Sequence, residues 1–297
     1  MTHVVHHADR GYLGIWYRMF GPGPTMLPDS TQCSQCIRRP VPVIASTTRP
    51  DEPANADPSG ICESSVRSLT RHVMPVRLEE HVKVLTLGPT GAGPVVLFAA
   101  GAGGDPERHR PLLEHLAAHD CQVIAPHFER IVPQTTTTAQ LLARPAGLVQ
   151  ALEEAAPPDV PVAVVGHSIG GWAALCLAGA TPWGREGEPI DVPREPRVTR
   201  LVLYAPAAGW FAAPGSLDAV RVPALVYAGE QDTVTPITQV LRLKSAPGPV
   251  DVRLVPGAGH FSFMNVLPPG MSDSPGFDRD AFLADLAEAT LQFLTDA

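Results

Sequence analysis

No apolar run in this sequence approaches the roughly 18 residues that a membrane-spanning helix needs, so we expect no membrane span. Residues 1–20 also lack the basic start, the apolar stretch and the small-residue cleavage site of a secretory signal. Basic residues are in the minority, because 22 Lys and Arg stand against 30 Asp and Glu and give a net charge of −8. The two signs are scattered along the chain, which argues against a nucleic-acid partner.

Cysteine is also scarce. An odd set of five, in a chain without a secretory signal, indicates reduced thiols and a cytoplasmic location. Cys121 and Cys176 lie in apolar runs and are expected in the core. Cys33 and Cys36 have the spacing of a zinc-binding pair, but no second pair follows them, so we expect no metal there.

Residues 1–75 differ in composition from the rest of the chain. Prolines recur among Ser, Thr, Gly and Asp, and neither a helical nor an alternating pattern is sustained. This composition predicts a disordered, proline-rich extension, followed by one catalytic domain over residues 76–297. The apolar stretch at residues 12–20 is an exception that either docks on a partner or on the domain, or has no structural role.

From residue 76 onward, apolar runs alternate with helical patterns. Strands are predicted at residues 82–87, 95–100, 122–126, 162–165, 198–204, 224–227 and 250–255. Helices are predicted at residues 111–119, 138–155, 169–180, 237–245 and 278–294. Strands that alternate with helices at these intervals predict an α/β fold, with a mostly parallel sheet covered by helices on both faces.

The candidate nucleophile lies in the sequence Gly166-His167-Ser168-Ile169-Gly170. A buried strand is predicted before this G-x-S-x-G motif and a helix after it, which is the context that a nucleophile elbow needs. Glycines at both ends let the backbone turn sharply and leave the hydroxyl of Ser168 exposed at the tip. The N–H of Ile169, at the start of the helix, is then available to an oxyanion. We expect His167 to be a packing residue.

A serine nucleophile needs a base and an acid that orients it. His260 is the only histidine after Ser168, and it follows a predicted strand in a glycine-lined loop. Asp232 follows the carboxyl end of another strand, the edge at which parallel sheets place their active sites. We therefore predict Ser168, His260 and Asp232 as the catalytic residues, with Glu230 as the alternative acid.

A second oxyanion donor is expected from the glycine-rich loop at residues 101–104, where the backbone can approach a ligand closely; the N–H of Ala102 is the candidate. Only about twenty residues separate the strands that end near residue 204 and begin near residue 224, so we expect no large cap domain. Four aromatic residues are candidates for the edge of the resulting open pocket, with core packing as the alternative: Trp210, Phe211, Phe261 and Phe263. For Trp172 we expect core packing.

The nucleophile, acid and base follow one another in the order found in the α/β-hydrolase superfamily, which residues 76–297 resemble. Within it, the chain is similar to the lidless bacterial enzymes called predicted dienelactone hydrolases, which are related to platelet-activating-factor acetylhydrolase and chlorophyllase. This finer resemblance is carried by Arg144-Pro145, by residues 166–171, by Val222-Pro223 and by residues 257–263. It implies hydrolysis of a carboxylic ester through an acyl-enzyme on Ser168, with no metal or organic cofactor.

The chain departs from these relatives at two places. Many of them have His-Gly where this chain has Ala100-Gly101, but backbone donors do not need that histidine. Many have aspartate where His127 stands, which is expected to reshape the pocket. Thioester hydrolysis, acyl transfer and perhydrolysis use the same triad and fold, and a non-catalytic binding protein can share the fold, so these remain alternatives to ester hydrolysis.

Overall fold

The computed structural model describes residues 82–91, 93–132, 135–184 and 186–296. The extension predicted over residues 1–75, with its pair of Cys33 and Cys36, lies outside these residues, as does the predicted start of the domain at residue 76. Within the described ranges, no helix combines the length and the apolar character that crossing a membrane requires.

Seven strands of the described residues form one sheet, in the spatial order β1-β3-β2-β4-β5-β6-β7. β1 runs antiparallel to β3, and every other pair of neighbours is parallel. The strands are β1 (Val84–Leu87), β2 (Val95–Ala99), β3 (Gln122–Pro126), β4 (Val162–His167), β5 (Val198–Tyr204), β6 (Ala224–Gly229) and β7 (Val250–Val255). β2, β4 and β6 are buried at every position and almost entirely apolar, as expected for strands covered on both faces.

Helices cover both faces of this sheet. They are α1 (Arg110–Ala118), α2 (Thr138–Ala155), α3 (Ile169–Leu177), α4 (Ile237–Val240) and α5 (Arg279–Thr295). Alternate side chains of each strand enter two separate buried clusters, one with α2 and α3 and the other with α1 and α5. In β2, for example, Leu97 belongs to the first cluster and Phe98 to the second. The predicted mostly parallel sheet with helices on both faces is confirmed.

Two helices are shorter than predicted. α3 ends at Leu177 because Gly179 adopts a φ of +106°, and Ala180 N–H then donates to the carbonyl of Leu175 at 2.9 Å, which closes the helix. The helix predicted over residues 237–245 is a single α-helical turn followed by a 3₁₀ helix, Leu241–Ser245. Proline at position 247 disfavours the helical conformation at Ala246, whose ψ is 144°, so the segment cannot continue.

The connection between β5 and β6 contains one 3₁₀ helix, Ala208–Phe211, and no inserted domain. The expectation of no large cap is therefore met at this position. Because β4, β6 and β7 are parallel, the residues that follow them meet at one edge of the sheet. Ser168 follows β4, Asp232 follows β6 and His260 follows β7.

Candidate active site

Ser168 lies on a sharp turn between β4 and α3, with φ of 56° and ψ of −120°. A positive φ is strained for a residue with a side chain, and such strain is typical of functional turns. The two flanking glycines make this turn sterically possible. A Cβ on Gly166 would lie 2.7 Å from the backbone of Gly170, and a Cβ on Gly170 would lie 1.9 Å from the carbonyl oxygen of Ala99.

The three predicted catalytic side chains form a continuous hydrogen-bonded row. Ser168 Oγ lies 2.9 Å from His260 Nε2, and His260 Nδ1 lies 2.8 Å from Asp232 Oδ2. An ionised carboxylate can only accept, so His260 donates its Nδ1 proton to Asp232 and leaves Nε2 to accept the proton of the serine hydroxyl. The structure leaves the alternative acid, Glu230, exposed.

Asp232 is buried and well supplied with donors. Its Oδ1 accepts from the N–H groups of Val234 and Thr235, both at 2.8 Å, and its Oδ2 accepts from Thr235 Oγ1 at 2.7 Å. Burial raises the pKa of Asp232, but the charge and hydrogen bond of His260 and the hydrogen bonds of Thr235 outweigh it and hold the pKa below its usual value. Asp232 is therefore a carboxylate at neutral pH. Sequence reasoning did not identify Thr235, although a threonine three residues after a loop aspartate is a typical turn pattern.

The loop that carries His260 is fixed from two sides. Gly259 N–H donates to Ser262 Oγ at 2.9 Å, and Ser262 in turn donates to Asp273 at 2.6 Å. On the other side, His167 Nε2 lies 3.0 Å from the carbonyl oxygen of His260. Since a carbonyl only accepts, His167 donates this bond, so it does more than the packing that the sequence predicted.

Three imidazole rings lie next to one another with their planes tilted, at interplanar angles of 58° for His109 and His167 and 38° for His167 and His260. The ring centroids of His109 and His167 are 5.3 Å apart, and those of His167 and His260 are 5.2 Å apart. Burial lowers the pKa of His109 to about 3, and burial, followed by the neighbouring histidines, lowers the pKa of His167 well below its usual value. The rings of His109 and His167 are therefore neutral at neutral pH and place no permanent charge beside His260.

Ala102 and Ile169, the predicted oxyanion donors, lie on the two elements that border Ser168. The loop at residues 101–104 packs against the serine, because a Cβ on Gly101 would lie 3.5 Å from Ser168 Cβ. Among the described residues, neither backbone N–H has an acceptor, so each is available to a ligand. This geometry is compatible with a two-donor oxyanion hole.

The aromatic residues predicted at the pocket edge divide into two groups. Phe211 and Phe263 are buried in the core, and Phe263 stacks on Tyr204 with an interplanar angle of 5°. They therefore pack inside the domain, as the alternative interpretation held. Trp210 and Phe261 are only partly buried; Phe261 lies edge-on to His260, with ring centroids 5.0 Å apart.

Core packing explains the positions of Trp172 and of two cysteines singled out in the sequence, whereas His127 is partly exposed beside Asp105. Trp172 is fully buried and packs beside Trp210, as expected. Cys121 and Cys176 are buried free thiols whose pKa is raised by burial. His127 Nδ1 lies 3.6 Å from Asp105 Oδ1, and burial together with Lys83 lowers the pKa of His127.

A mostly parallel sheet, a serine on a strand-to-helix turn and a histidine and an aspartate at the same edge define the α/β-hydrolase fold. The described part of the chain thus has the α/β-hydrolase fold. A model of the chlorophyllase family matches residues 59–182. That match includes the glycine-rich loop and Ser168 and ends before Asp232 and His260.

The curated relatives are chloroplastic chlorophyllases of citrus. This chain is 31% identical over 103 residues to chlorophyllase-1 of Citrus unshiu and 31% identical over 105 residues to that of Citrus sinensis. Each match covers 32% of this chain, and it covers 31% of the first relative and 32% of the second. The chain therefore spans about a third of the length of the curated relatives that it matches.

Solved structures resemble a larger part of the chain. A thermophilic esterase from Thermogutta terrifontis, Est2, has a TM-score of 0.51 at 16% identity and covers 75% of this chain and 90% of its own. A dienelactone hydrolase from Anabaena variabilis has a TM-score of 0.51 at 19% identity and covers 72% of this chain and 91% of its own. At these identities the comparison shows a shared fold.

Proposed function

We propose that this protein is a serine hydrolase that cleaves carboxylic esters through an acyl-enzyme on Ser168. The observation that carries the proposal is the hydrogen-bonded row from Ser168 through His260 to Asp232, at the carboxyl edge of a parallel sheet. The short distances, the burial of all three side chains and the strained turn at Ser168 support it. The fold shared with an esterase and a dienelactone hydrolase agrees with this chemistry.

In the proposed mechanism, Ser168 Oγ attacks the ester carbonyl carbon while His260 Nε2 takes the hydroxyl proton. The N–H groups of Ala102 and Ile169 bind the resulting oxyanion. His260 then gives its proton to the leaving alkoxide, and the alcohol departs. Water, deprotonated by His260, then attacks the acyl carbonyl carbon; the bond to Ser168 Oγ breaks, Oγ takes the proton back from His260, and the acid is released. Asp232 stays ionised throughout, orients the imidazole and stabilises the imidazolium.

The proposed substrates are small or medium esters, which reach Ser168 at a carboxyl edge where the connection between β5 and β6 carries no inserted cap. A second candidate substrate is chlorophyll. The match of the chlorophyllase family model to residues 59–182, which include Ser168, favours this candidate. Both candidates use the same chemistry at Ser168 and differ in the size of the acyl and alcohol groups.

A p-nitrophenyl ester series from acetate to decanoate tests the proposal, with chlorophyll a assayed beside it. We expect turnover by the natural protein and a loss of several decades of kcat in S168A. S216A is the matched control, since Ser216 is equally buried and donates to the carbonyl of Ala213. It should retain wild-type kcat. The acyl chain length that is hydrolysed fastest indicates the size of the acyl pocket.

The alternative functions can be distinguished by assays on the same purified protein. Acyl-CoA substrates, alcohol acceptors and hydrogen peroxide reveal a thioesterase, an acyltransferase or a perhydrolase as faster turnover than ester hydrolysis. If no substrate is turned over and a fluorophosphonate does not label Ser168, the protein is a non-catalytic member of the fold, and the proposal is wrong.

We further propose that residues 76–297 are the catalytic domain, and that the protein works in the cytoplasm on a small-molecule substrate. The buried free thiols of Cys121 and Cys176 support a reducing compartment. Deletion of residues 1–73 tests the domain assignment, with unchanged kcat expected. Cell fractionation with an antibody against the protein tests the location, and recovery outside the cytoplasmic fraction would contradict it.

A further inference from the structure

Arg144, on α2, is buried beside the glycine-rich loop, with an exposed fraction of 2%. Its guanidinium group donates only to backbone carbonyls. Nη1 donates to Ala100 at 3.1 Å and to Gly101 at 2.9 Å, and Nη2 donates to Ala102 at 3.3 Å and to Glu129 at 3.2 Å. One side chain therefore binds the three consecutive carbonyls of residues 100–102, at the start of the loop, and one carbonyl of the segment after β3.

This cation has no carboxylate partner among the described residues. Buried charges are normally paired, because removing an ion from water is costly. Burial lowers the pKa of Arg144 to about 10, so the guanidinium is still protonated at neutral pH. The four carbonyl dipoles and the ring of Phe128, whose centroid lies 5.2 Å from Cζ, compensate the charge. A full positive charge is thus held directly behind the loop.

The bond to Gly101 fixes the direction of a neighbouring donor. The carbonyl of Gly101 and the N–H of Ala102 belong to one planar trans peptide group, in which they point in opposite directions. Since the carbonyl points at Arg144, the N–H of Ala102 points away from it. Gly104 N–H donates to the same carbonyl at 2.9 Å, so two donors hold this peptide plane.

The other face of the loop lies against the nucleophile. A Cβ on Gly101 would lie 3.5 Å from Ser168 Cβ and 3.1 Å from His167 Nδ1. Ile131 N–H donates to the carbonyl of Ala102 at 2.9 Å, so the second loop carbonyl is also held away from the serine. The carbonyl groups of residues 100–102, which would repel an oxyanion, are therefore turned toward Arg144 and Ile131.

We propose that Arg144 is a positioning residue that orients the N–H of Ala102 toward the oxyanion site of Ser168 and adds a fixed positive charge behind it. The inference rests on the proposed function, since an oxyanion forms only if Ser168 attacks an ester. A donor held in place before the reaction needs no reorganisation in the transition state, so its orientation affects kcat more than KM.

The test compares R144K and R144M with the natural protein. Removal of one oxyanion donor costs of the order of 10²–10³ in kcat, and we expect R144M to lose up to that factor with KM nearly unchanged. R144K keeps the positive charge but lacks the planar set of N–H donors with which a guanidinium binds several carbonyls. Its loss of kcat should therefore be smaller than that of R144M. The affinity for a trifluoromethyl ketone, which forms an anionic tetrahedral adduct, should fall in parallel with kcat/KM. Titration with a fluorophosphonate measures the concentration of active sites that can react, and kcat is calculated per reactive site for each variant.

R197K is the matched control. Arg197 is also largely buried, but it pairs with Glu195 through two hydrogen bonds of 2.8 Å at the amino end of β5, far from the loop in the fold. It should retain wild-type kcat and analogue affinity. If R144K and R144M lose only thermal stability, while kcat per titrated site and analogue affinity stay within about twofold, Arg144 is structural and the proposal is wrong.

Crystal structures of the natural protein and R144K or R144M separate this inference from the proposed function. A turned peptide between Gly101 and Ala102 in either variant supports positioning by Arg144, even if no ester is a substrate. An unchanged loop in both variants overturns it. Failure of the natural protein to hydrolyse esters or to react with a fluorophosphonate contradicts the proposed function instead.

Discussion

His167 donates a hydrogen bond from Nε2 to the backbone carbonyl oxygen of His260, across 3.0 Å and 93 positions of sequence. The residue next to the nucleophile thereby holds the loop that carries the base. Both groups are buried, so the bond is shielded from competition with water. The spacing between Ser168 and His260 depends on this contact as well as on the triad itself.

Replacement of His167 by phenylalanine should therefore lower kcat by about tenfold, the kinetic equivalent of roughly 1.4 kcal/mol. Phenylalanine has about the same ring volume but no donor, so the carbonyl of His260 loses its hydrogen bond from residue 167. H167Q, which places an amide donor near the position of Nε2, should recover most of the loss. Steady-state kinetics on a p-nitrophenyl ester measures both. Equal activity of H167F and the natural protein would show that the bond is dispensable.

Stability should fall at acidic pH because of His109, which packs against Phe98 and His167. Burial lowers the pKa of His109 to about 3, whereas an unfolded histidine binds a proton near pH 6.5. The unfolded chain therefore binds more protons between these values. The contribution of neutral His109 to stability is complete above pH 6.5 and is lost as the pH falls toward 3.

Each pH unit in this window changes the free energy of unfolding by about 1.4 kcal/mol per buried histidine. Urea unfolding at pH 7 and at pH 5 measures how much free energy of unfolding each protein loses between the two values. H109F should lose about 2 kcal/mol less than the natural protein. H119Q, which removes an exposed histidine at the end of α1, is the control and should behave like the natural protein. Parallel losses in H109F and the natural protein would contradict the assignment.

Gly170 should not tolerate a side chain. The Cβ of alanine there would lie 1.9 Å from the carbonyl oxygen of Ala99; the backbone fixes the position of this Cβ, and the carbonyl is itself backbone, so neither can rotate away. Overpacking of this kind costs about 1–3 kcal/mol, and relief of the clash would displace α3 from β2 and misplace Ser168. We expect G170A to lose both thermal stability and fluorophosphonate labelling.

The matched control for this glycine is G103A, because nothing lies within 4 Å of a Cβ at Gly103. Circular dichroism should give G103A a melting temperature close to that of the natural protein. If G170A melts at the same temperature as G103A, the close packing of α3 on β2 is looser than the structure shows.

Much of this fold could be predicted because its strands are either apolar runs, as in β2 and β4, or alternating runs, as in β7. The bounds of β3, β5 and β7 coincide with the predicted ones. The meeting of Ser168, Asp232 and His260 followed from strand order, since parallel strands place their carboxyl ends at one edge.

The burial of Phe211 and Phe263 did not follow, because a loop phenylalanine has the same pattern whether it lines a pocket or packs inside. The partners of Arg144 are equally invisible in sequence, because they are backbone carbonyls that carry no residue identity.

Asp232 fixes which nitrogen of His260 carries the proton. Its Oδ2 lies 2.8 Å from Nδ1, and as a carboxylate it can only accept. Asparagine in the same place could present its amide N–H₂ instead. Nδ1 would then become an acceptor, the ring proton would move to Nε2, and Nε2 could no longer take the proton of Ser168.

D232N should therefore fold and lose kcat by a factor of the order of 10³–10⁴. D251N is the matched control, because Asp251 is an exposed aspartate paired with Arg253 on β7, and its kcat should not change. Nitrogen-15 NMR of the imidazole ring of His260 provides a direct readout, with the proton expected on Nδ1 in the natural protein and on Nε2 in D232N. A proton that stays on Nδ1 while activity is lost would mean that Asp232 acts through its charge rather than through the tautomer.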